Sequence, residues 1–431
     1  MIAKPPSSDK SGDSRPIRTY WLTGGAAAII VALIAAVVAI KPWSSTSSAV
    51  PPPTPPTRPA VSPSPTPTVQ TGLTSPQNGA DNVPYRVFSD PKTVDASAVA
   101  FSPGSKTLAV ADVNGGAFLW NVPSDSFIAG LYSPKGQSVW DVAYSPNGSM
   151  VADGTSNAKT YNNGSVYLWS VASPAEPIAT FPDPQGAGVA AIAFSPDGKL
   201  LAAADGNGTI YLLNAMTLKV TGKVQGPAPG SGYAIDGVAF SPDGSELAGA
   251  ANDGSVYAWN VATRTLITGP LYDPDHQDAK GIAFSPNGAL VAVADTNGSA
   301  YLWNLVSGEV LKTFHDPAGL QVIGVAFTLD GNALVTTSQS GKYNHDSAVR
   351  VWNATTGTLI HSFYDPGSYG AGRLAISQDG QLLAVADDDA HAYVWRLNWL
   401  RVISPGGTNL PPVRSIQGPA RGKGTGSFPP S

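Results

Sequence analysis

The chain has 431 residues and no cysteine, and charged residues make up only 13% of it. Without cysteine it has neither a disulfide framework nor a thiol nucleophile. Its formal net charge is -5, but residues 85–400 alone hold 15 basic against 27 acidic side chains, a net of -12. This acidic balance disfavours nucleic acid as a partner, because phosphate contacts require basic groups.

The N-terminal region predicts a membrane anchor. Within residues 22–40 only Thr23 is polar, and as a helix rising about 1.5 Å per residue this stretch could span a bilayer. Four basic residues precede it: Lys4, Lys10, Arg15 and Arg18. They predict that residues 1–21 are a short cytoplasmic segment and that everything after the helix is extracellular, giving a single-pass cell-membrane protein. The alternative is a cleaved secretory signal, whose apolar region usually runs to about 7 to 15 residues.

Residues 41–84 predict a Pro/Ser/Thr-rich linker. Nine of the seventeen residues from 51 to 67 are Pro, a composition that favours extended polyproline II. At about 3.1 Å per residue, this stretch would hold the following region on the order of 50 Å from the bilayer.

Residues 85–400 repeat one pattern seven times. An apolar strand leads to a Ser-Pro-Asp-Gly-like turn, a second apolar strand, an Asn-Gly or Asp-Gly turn in most copies, and a third strand closing on Trp-Asn or a variant of it. The turns favour β-hairpins. The third strands close at Trp120, Trp169, Leu213, Trp259, Trp303, Trp352 and Trp395, in steps of 43 to 49 residues. This period predicts an all-β fold, a seven-bladed β-propeller with four-stranded antiparallel blades.

The pattern resembles the WD-repeat (WD40-type) β-propeller family, here in a membrane-anchored bacterial form, from about Tyr85 to Leu400. Trp-Asn stands where the family has Trp-Asp, and Leu213 departs further. No copy has the family's Gly-His pair. Asp-Pro stands near that place in five copies, beginning at Asp90, Asp183, Asp273, Asp316 and Asp365. The resemblance implies a ring that serves as a non-catalytic interaction platform.

Four copies have an aspartate eight residues before the end of the third strand, where the family commonly has Ser: Asp112, Asp205, Asp295 and Asp387. A buried indole N–H needs an acceptor. We therefore expect these carboxylates to accept the indole N–H of the blade Trp, where the family uses its Ser-His network. The alternative is a carboxylate ring that binds cations on the face carrying these loops.

Two segments could supply the outer strand of the last blade. Residues 84–91 keep the register of residues 311–317, which precede a repeat as an outer strand. We therefore expect the N-terminal segment to complete the last blade. Residues 398–403, directly after the last repeat, are the rival. The remaining stretch, residues 401–431, has four basic and no acidic residues and predicts a disordered tail, with binding to an anionic envelope polymer as the alternative.

Enzymatic patterns are not evident in the sequence. The five histidines show no metal-ligand spacing, and no Gly-rich phosphate-binding loop joins a strand to a helix. We therefore expect neither catalysis nor a metal or cofactor. The alternative is an exported propeller hydrolase or lactonase-like enzyme that uses carboxylates and histidines around the channel.

Candidate binding residues are those that vary within the constant frame. Two residues before the first-strand start, at the channel entrance in a ring of this family, stand Ser97, Trp140, Ala190, Asp236, Lys280, Ile323 and Gly372. Trp140 is the outlier, since Trp is enriched among interface hot spots; alternatively, it fills space left by Ala190. Asp141 and Arg373 follow in register. We predict that Trp140, Asp141, Asp236, Lys280 and Arg373 bind a protein, a peptide or a cell-envelope component, and that the protein is a monomeric scaffold or sensor.

Overall fold

A computed structural model describes residues 83–89, 95–157, 160, 162–226, 233–272, 274, 276–339, 347–364 and 370–397. The predicted cytoplasmic segment, the apolar stretch, all but the last two residues of the linker, and the tail lie outside the described residues, as does the rival closing segment 398–403. In the part of the chain that the structure describes, no helix has the length and apolarity needed to cross a membrane.

The described chain forms seven four-stranded antiparallel sheets, the blades. In chain order the strands are β1 (Arg86–Ser89); in blade 1, β2 (Ala96–Phe101), β3 (Thr107–Asp112), β4 (Gly116–Asn121) and β5 (Ser126–Tyr132); in blade 2, β6 (Ser138–Tyr144), β7 (Met150–Ser156), β8 (Ser165–Ser170) and β9 (Ser173–Pro182); in blade 3, β10 (Val189–Phe194), β11 (Leu200–Asp205), β12 (Thr209–Asn214) and β13 (Val220–Gln225); in blade 4, β14 (Ile235–Phe240), β15 (Glu246–Ala251), β16 (Ser255–Asn260) and β17 (Leu266–Tyr272); in blade 5, β18 (Ala279–Phe284), β19 (Leu290–Asp295), β20 (Ser299–Asn304) and β21 (Glu309–His315); in blade 6, β22 (Gln321–Phe327), β23 (Ala333–Gln339), β24 (Ala348–Asn353) and β25 (Leu359–Tyr364); and in blade 7, β26 (Ala371–Ile376), β27 (Leu382–Asp387) and β28 (His391–Arg396). The first strands of successive blades contact one another in a cycle that returns from β26 to β2. The predicted seven-bladed propeller is therefore confirmed, with these first strands around a central channel.

The Ser-Pro-Asp-Gly signature forms side-chain hydrogen bonds inside the first turn of blades 2 to 7. In blade 2 the Ser145 hydroxyl donates to Asn147 Oδ1 at 2.8 Å and accepts the Met150 amide at 3.0 Å. Gly148 takes φ 70°, a left-handed conformation that glycine adopts without steric cost. The same contact from the hydroxyl to the Oδ1 of Asp or Asn recurs at Ser195–Asp197, Ser241–Asp243, Ser285–Asn287, Thr328–Asp330 and Ser377–Asp379. The repeated sequence thus fixes the repeated turn locally.

The hydrophobic core is divided among the interfaces between blades. In one cluster Leu247 and Trp259 of blade 4 pack with Ala202 and Leu212 of blade 3, all of them buried. Burying a large side chain in this way stabilises the fold by about 1.5 to 3 kcal/mol. Because each sheet is covered by its neighbours, no blade is expected to be stable outside the ring.

The ring closes through β1. This strand pairs antiparallel with β28 and completes blade 7. The Arg86 guanidinium donates to the carbonyls of Val122 at 3.2 Å and Pro123 at 3.0 Å in blade 1, and the Phe88 ring lies 5.4 Å from that of Trp120. The closure expected from the register of the N-terminal segment is therefore confirmed.

Two links between blades show what Asp-Pro contributes. Asp183 Oδ2 accepts the Ala187 amide at 2.6 Å, and Asp316 Oδ1 accepts the Ala318 amide at 2.8 Å. The other oxygen of Asp316 forms a buried ion pair with Arg350, on the third strand of the following blade. At these two positions the carboxylate shapes the link, and Asp316 also joins it to the next sheet.

The expected role of the four aspartates as indole acceptors is wrong where it can be checked. Asp295 Oδ1 accepts the amide of Asn297 at 2.8 Å, a hydrogen bond within the turn. The indole nitrogens of Trp303 and Trp395 have no hydrogen-bond partner among the described residues. The same turn hydrogen bond is made by Asp112, Asp205 and Asp387.

In two other blades the indole N–H does donate a hydrogen bond, to residues that the sequence did not lead us to expect. Trp169 donates to Asp153 Oδ2 at 2.5 Å, and Trp352 donates to Thr336 Oγ1 at 2.9 Å. Both acceptors lie on the second strand, where cross-strand pairing places them beside the Trp. At the corresponding position the other blades have residues without a polar side chain: Val110, Ala203, Gly249, Val293 and Val385.

Asp153 is fully buried. Its desolvation raises the pKa of the carboxyl to about 7, although hydrogen bonds from the Trp169 indole and the Tyr167 amide act in the opposite direction. Blade 2 therefore carries a carboxyl that changes its ionisation near neutral pH inside the core.

We expect Phe88→Ala to lower the free energy of unfolding by about 3 to 5 kcal/mol, because Phe88 is buried at the closing interface. Urea unfolding measures the loss. Val87→Ala on the same strand is the matched control, since the Val87 side chain is 42% exposed. Equal midpoints for the two variants would show that β1 does not seal the ring.

We expect the Asp153 carboxyl to make folding less favourable as pH rises. The folded state holds this proton with a pKa of about 7, whereas an unfolded aspartate has a pKa of about 3.9. The stabilisation by the protonated carboxyl is therefore complete below the unfolded pKa and is lost as the pH rises through the folded pKa. Above the folded pKa this carboxyl no longer changes the stability with pH. Asp153→Asn should remove this loss, so that its stability relative to the wild type is greater at about pH 8 than at about pH 4.

Urea midpoints across that pH range test this expectation. Asp197→Asn is the control: hydrogen bonds from Ser195 and Lys199 lower the pKa of the exposed Asp197 to about 2. The stabilisation by the ionised Asp197 carboxylate is present above the unfolded pKa and falls only below it. The urea midpoint of the control should therefore change with pH as the wild-type midpoint does. A constant difference between wild type and Asp153→Asn across the range would contradict the assignment.

Candidate functional site

The two faces of the ring carry different loops. We call the face with the second-to-third-strand loops and the links between blades the linker face, and the opposite face the turn face. The first-to-second-strand turns all span five residues, whereas the second-to-third-strand loops span three residues in five blades and eight in blades 2 and 6. The largest differences in loop length therefore fall on the linker face.

Exposed tyrosines mark the linker face as well. Four tyrosines of the described chain are 42% to 57% exposed: Tyr132, Tyr233, Tyr272 and Tyr364. Three of them end outer strands immediately before a link, and Tyr233 precedes β14. Tyrosine combines a large contact area with a polar tip and is enriched in protein interfaces.

The predicted ring of variable residues coincides with a ring of irregularities in the first strands. In every blade the pairing of the first strand with the second shifts register at this point. The residues passed over include Ser97, Trp140, Ala190, Asp236, Lys280, Ile323 and Gly372. A β-bulge leaves its extra residue outside the ladder and can turn side chains or carbonyls toward a site.

Arg373 crosses the channel. From blade 7 its Nη1 donates to Asp141 Oδ2 of blade 2 at 3.1 Å, and its Nη2 donates to the carbonyls of Ala190 at 3.0 Å and Asp236 at 2.6 Å in blades 3 and 4. The structure thus brings three of the predicted residues into one network, with a cation bound by acceptors from three consecutive blades.

Asp141 is held by the backbone as well as by Arg373. Its Oδ1 accepts the Val142 amide at 3.0 Å, and its Oδ2 accepts the Ile192 amide of blade 3 at 2.8 Å. Burial has the largest effect and raises the pKa of the Asp141 carboxyl above its usual value, although Arg373 and these two amides act in the opposite direction. Three donors and no acceptor around the carboxyl suit its ionised form.

Lys280 forms a second charged group at the channel mouth. Its Nζ lies 2.6 Å from Asp236 Oδ2 and 3.4 Å from Asp278 Oδ2. Burial disfavours the ammonium, but the two carboxylates outweigh it and raise the pKa of Lys280. Asp236 therefore joins both groups, through its carboxylate to Lys280 and through its carbonyl to Arg373.

Trp140 is half-buried beside this network. Its indole N–H donates to Ser156 Oγ at 2.5 Å, at the linker-face end of β7. The indole is thereby fixed against its own blade.

Room for Arg373 comes from small residues at the next position of the bulge. There the seven blades have Ala98, Asp141, Ala191, Gly237, Gly281, Gly324 and Arg373. A Cβ added to Gly237 would lie 2.4 Å from the Lys280 carbonyl oxygen, so the adjacent strands approach too closely for any larger residue. One acid and one base thus face each other across a ring of small residues.

A family model described as WD domain, G-beta repeat (WD40) matches four segments of the chain, residues 128–170, 175–214, 222–260 and 270–304. The chain carries WD40 repeats. Each matched segment begins in the outer strand of one blade and ends in the third strand of the next. The WD40 repeat is therefore offset from the blade by one strand, which is why β1 belongs to blade 7. No curated protein matches the chain in sequence.

In blade 7 a histidine lies beside an aspartate. His391 Nδ1 lies 3.0 Å from Asp389 Oδ1, and the Tyr393 hydroxyl donates to Asp389 Oδ2 at 2.7 Å. Asp388 accepts the Gln339 amide at 2.6 Å. Each of these two adjacent carboxylates thus has a separate partner. Among the described residues, no three His, Asp or Glu side chains are placed to hold a metal ion.

We expect Asp141 and Arg373 to be strongly coupled. A double-mutant cycle with Asp141→Asn and Arg373→Gln should give a coupling energy of about 1.5 to 3 kcal/mol, because the pair is largely buried and hydrogen-bonded. Urea unfolding of the four proteins measures it. The matched cycle with Asp236→Asn and Lys280→Gln should give a smaller coupling, since Asp236 is 20% exposed against 10% for Asp141 and Lys280 keeps a second partner in Asp278. Equal couplings would show that the channel pair is not the stronger one.

Proposed function

We propose that this protein is a membrane-tethered WD40 propeller that stands outside the cell and binds a protein, peptide or cell-envelope component through its linker face, without catalysis. The WD40 fold is typical of protein-interaction scaffolds, and fold alone does not fix a function. The observation that carries the proposal is the concentration of exposed tyrosines, the half-buried Trp140 and the longest variable loops on one face.

The tether is supported by the sequence. Nineteen residues with a single polar side chain precede a Pro-rich stretch, and the basic residues lie before them. That order predicts an uncleaved helix with a cytoplasmic N-terminus and an extended spacer that sets the ring away from the bilayer. We take the ring to be monomeric.

The proposal that the protein is not an enzyme is supported by the partners of the charged side chains at the channel. Arg373 is engaged by a carboxylate and two carbonyls, and Lys280 by two carboxylates. A hydrolase or lactonase would need carboxylates free to face a substrate or metal at the axis. Asp141, by contrast, accepts three hydrogen bonds from the protein itself.

We expect a membrane-impermeant cross-linker, applied to intact cells, to capture a partner through the linker face. Trp140→Ala and Tyr272→Ala should each reduce the captured partner several-fold, because both remove aromatic contact area. Met216→Ala is the matched control, since Met216 is 70% exposed on the turn face. Quantitative mass spectrometry of the cross-linked product measures the change.

Two results would contradict the proposal. Equal losses for the linker-face variants and Met216→Ala would show that the linker face is not the binding surface. A propeller that reacts with the cross-linker only after cell lysis would show that the ring is not outside. All variants should be matched for expression and urea midpoint before comparison.

A further inference from the structure

The acceptors around Arg373 are held in place by the fold. Asp141 is oriented by the amides of Val142 and Ile192, which belong to two blades. The other two acceptors are the carbonyls of Ala190 and Asp236, and both residues lie at the bulges of their strands. A bulged residue is left out of the ladder, so these carbonyls are available to a donor from the channel, here Arg373.

The geometry of this set matches a guanidinium. One nitrogen of Arg373 donates to the carboxylate and the other to both carbonyls, over distances of 2.6 to 3.1 Å. A guanidinium is planar and presents its donors in a rigid fork, whereas an ammonium presents three donors from one point. An ammonium would have to donate to the carboxylate and both carbonyls from a single nitrogen, whereas the guanidinium donates from two nitrogens.

Arg373 belongs to blade 7, whereas its acceptors belong to blades 2, 3 and 4. Arg373 is 137 to 232 residues away in sequence from the three residues that accept its hydrogen bonds. It is partly solvent-accessible, with 29% of the side chain exposed. The three acceptors therefore form one partly accessible site at the channel, and Arg373 is its occupant.

We propose that the channel mouth is a guanidinium-binding site which the protein occupies with its own Arg373. The ligand class is a guanidinium, as a free small molecule or as an arginine side chain of a partner peptide; the second form rests on the proposed function. In the wild-type chain an external guanidinium competes with one that is covalently attached and always near the site. Attachment gives Arg373 a high effective concentration, so the native channel is closed by an autoinhibitory contact.

Removing Arg373 and supplying a guanidinium tests the proposal. Full-length Arg373→Ala should have a lower thermal midpoint than the wild type, because a carboxylate and two carbonyls lose their donor. Ethylguanidinium at millimolar concentration should raise that midpoint in a saturable manner, as expected for a ligand that binds only the folded state. Wild-type protein, whose site is filled, should show no saturable rise.

Ethylammonium is the matched ligand control, with the same charge and alkyl group but a single donor nitrogen. Equal effects of ethylguanidinium and ethylammonium on Arg373→Ala, or equal saturable effects of ethylguanidinium on the variant and the wild type, would overturn the proposal. Arg373→Ala combined with Asp141→Asn should lose the ethylguanidinium effect. If the double variant keeps the full effect, the site is not the one described.

A variant that does not fold still gives a decisive result. Arg373→Ala can then be expressed and refolded with either ligand present, and the yield of folded protein compared. Selective recovery with ethylguanidinium supports the site, and equal yields contradict it. The experiment needs no partner, so its failure leaves the proposed binding on the linker face standing, and failure of partner capture leaves the guanidinium site standing.

Discussion

The structure depends on one constraint: no blade can cover both of its own faces. The apolar clusters are shared between neighbouring blades, so the interface between the last blade and the first must be made like the other six. This seam differs in one respect, since Trp120 is only half-buried whereas Trp395 is fully buried. Hydrogen bonds from Arg86 to two carbonyls of blade 1 add polar contacts there. The seam thus combines apolar contact with hydrogen bonds that cross from one blade to the other.

The central network follows from the same geometry. All seven first strands carry a bulge where they line the channel, and a bulge leaves its extra residue outside the sheet ladder. A buried carbonyl without a donor is costly. Thr337 supplies the donor to Gly372, and Arg373 supplies it to Ala190 and Asp236. The same arginine meets the buried carboxylate of Asp141, so one side chain satisfies three acceptors in three blades.

The sequence predicted well what local chemistry determines. The Ser145–Asn147 type of turn repeats within a few residues, and the register of the N-terminal segment sufficed to predict the closing strand. The ring of bulge residues was found because residues such as Trp140 and Lys280 stand out in a repeated frame.

The features that the sequence did not predict depend on contacts between strands or across the channel. The aspartate eight residues before the Trp lies in a turn. The residues that accept the indole N–H lie sixteen residues before the Trp, at Asp153 and Thr336, where the pairing of neighbouring strands places them beside the ring. A polar residue on a second strand that is apolar in other blades was the available signal. The meeting of Arg373 with Asp141 depends on ring closure, and the one acid and one base among small residues at that position were the only hint of it.

Electrostatic interactions act both at the ring surface, through its net negative charge, and at the channel, through the acceptors around Arg373. The excess of acidic side chains in residues 85–400 attracts cations generally, and salt screens this attraction beyond about 8 Å. It therefore favours cationic partners without selecting among them. Selection at the centre rests on shape, since three fixed acceptors from separate blades match the fork of a guanidinium better than the point charge of an ammonium. A surface that gathers cations and a centre that admits one geometry would together let the ring distinguish arginine from lysine.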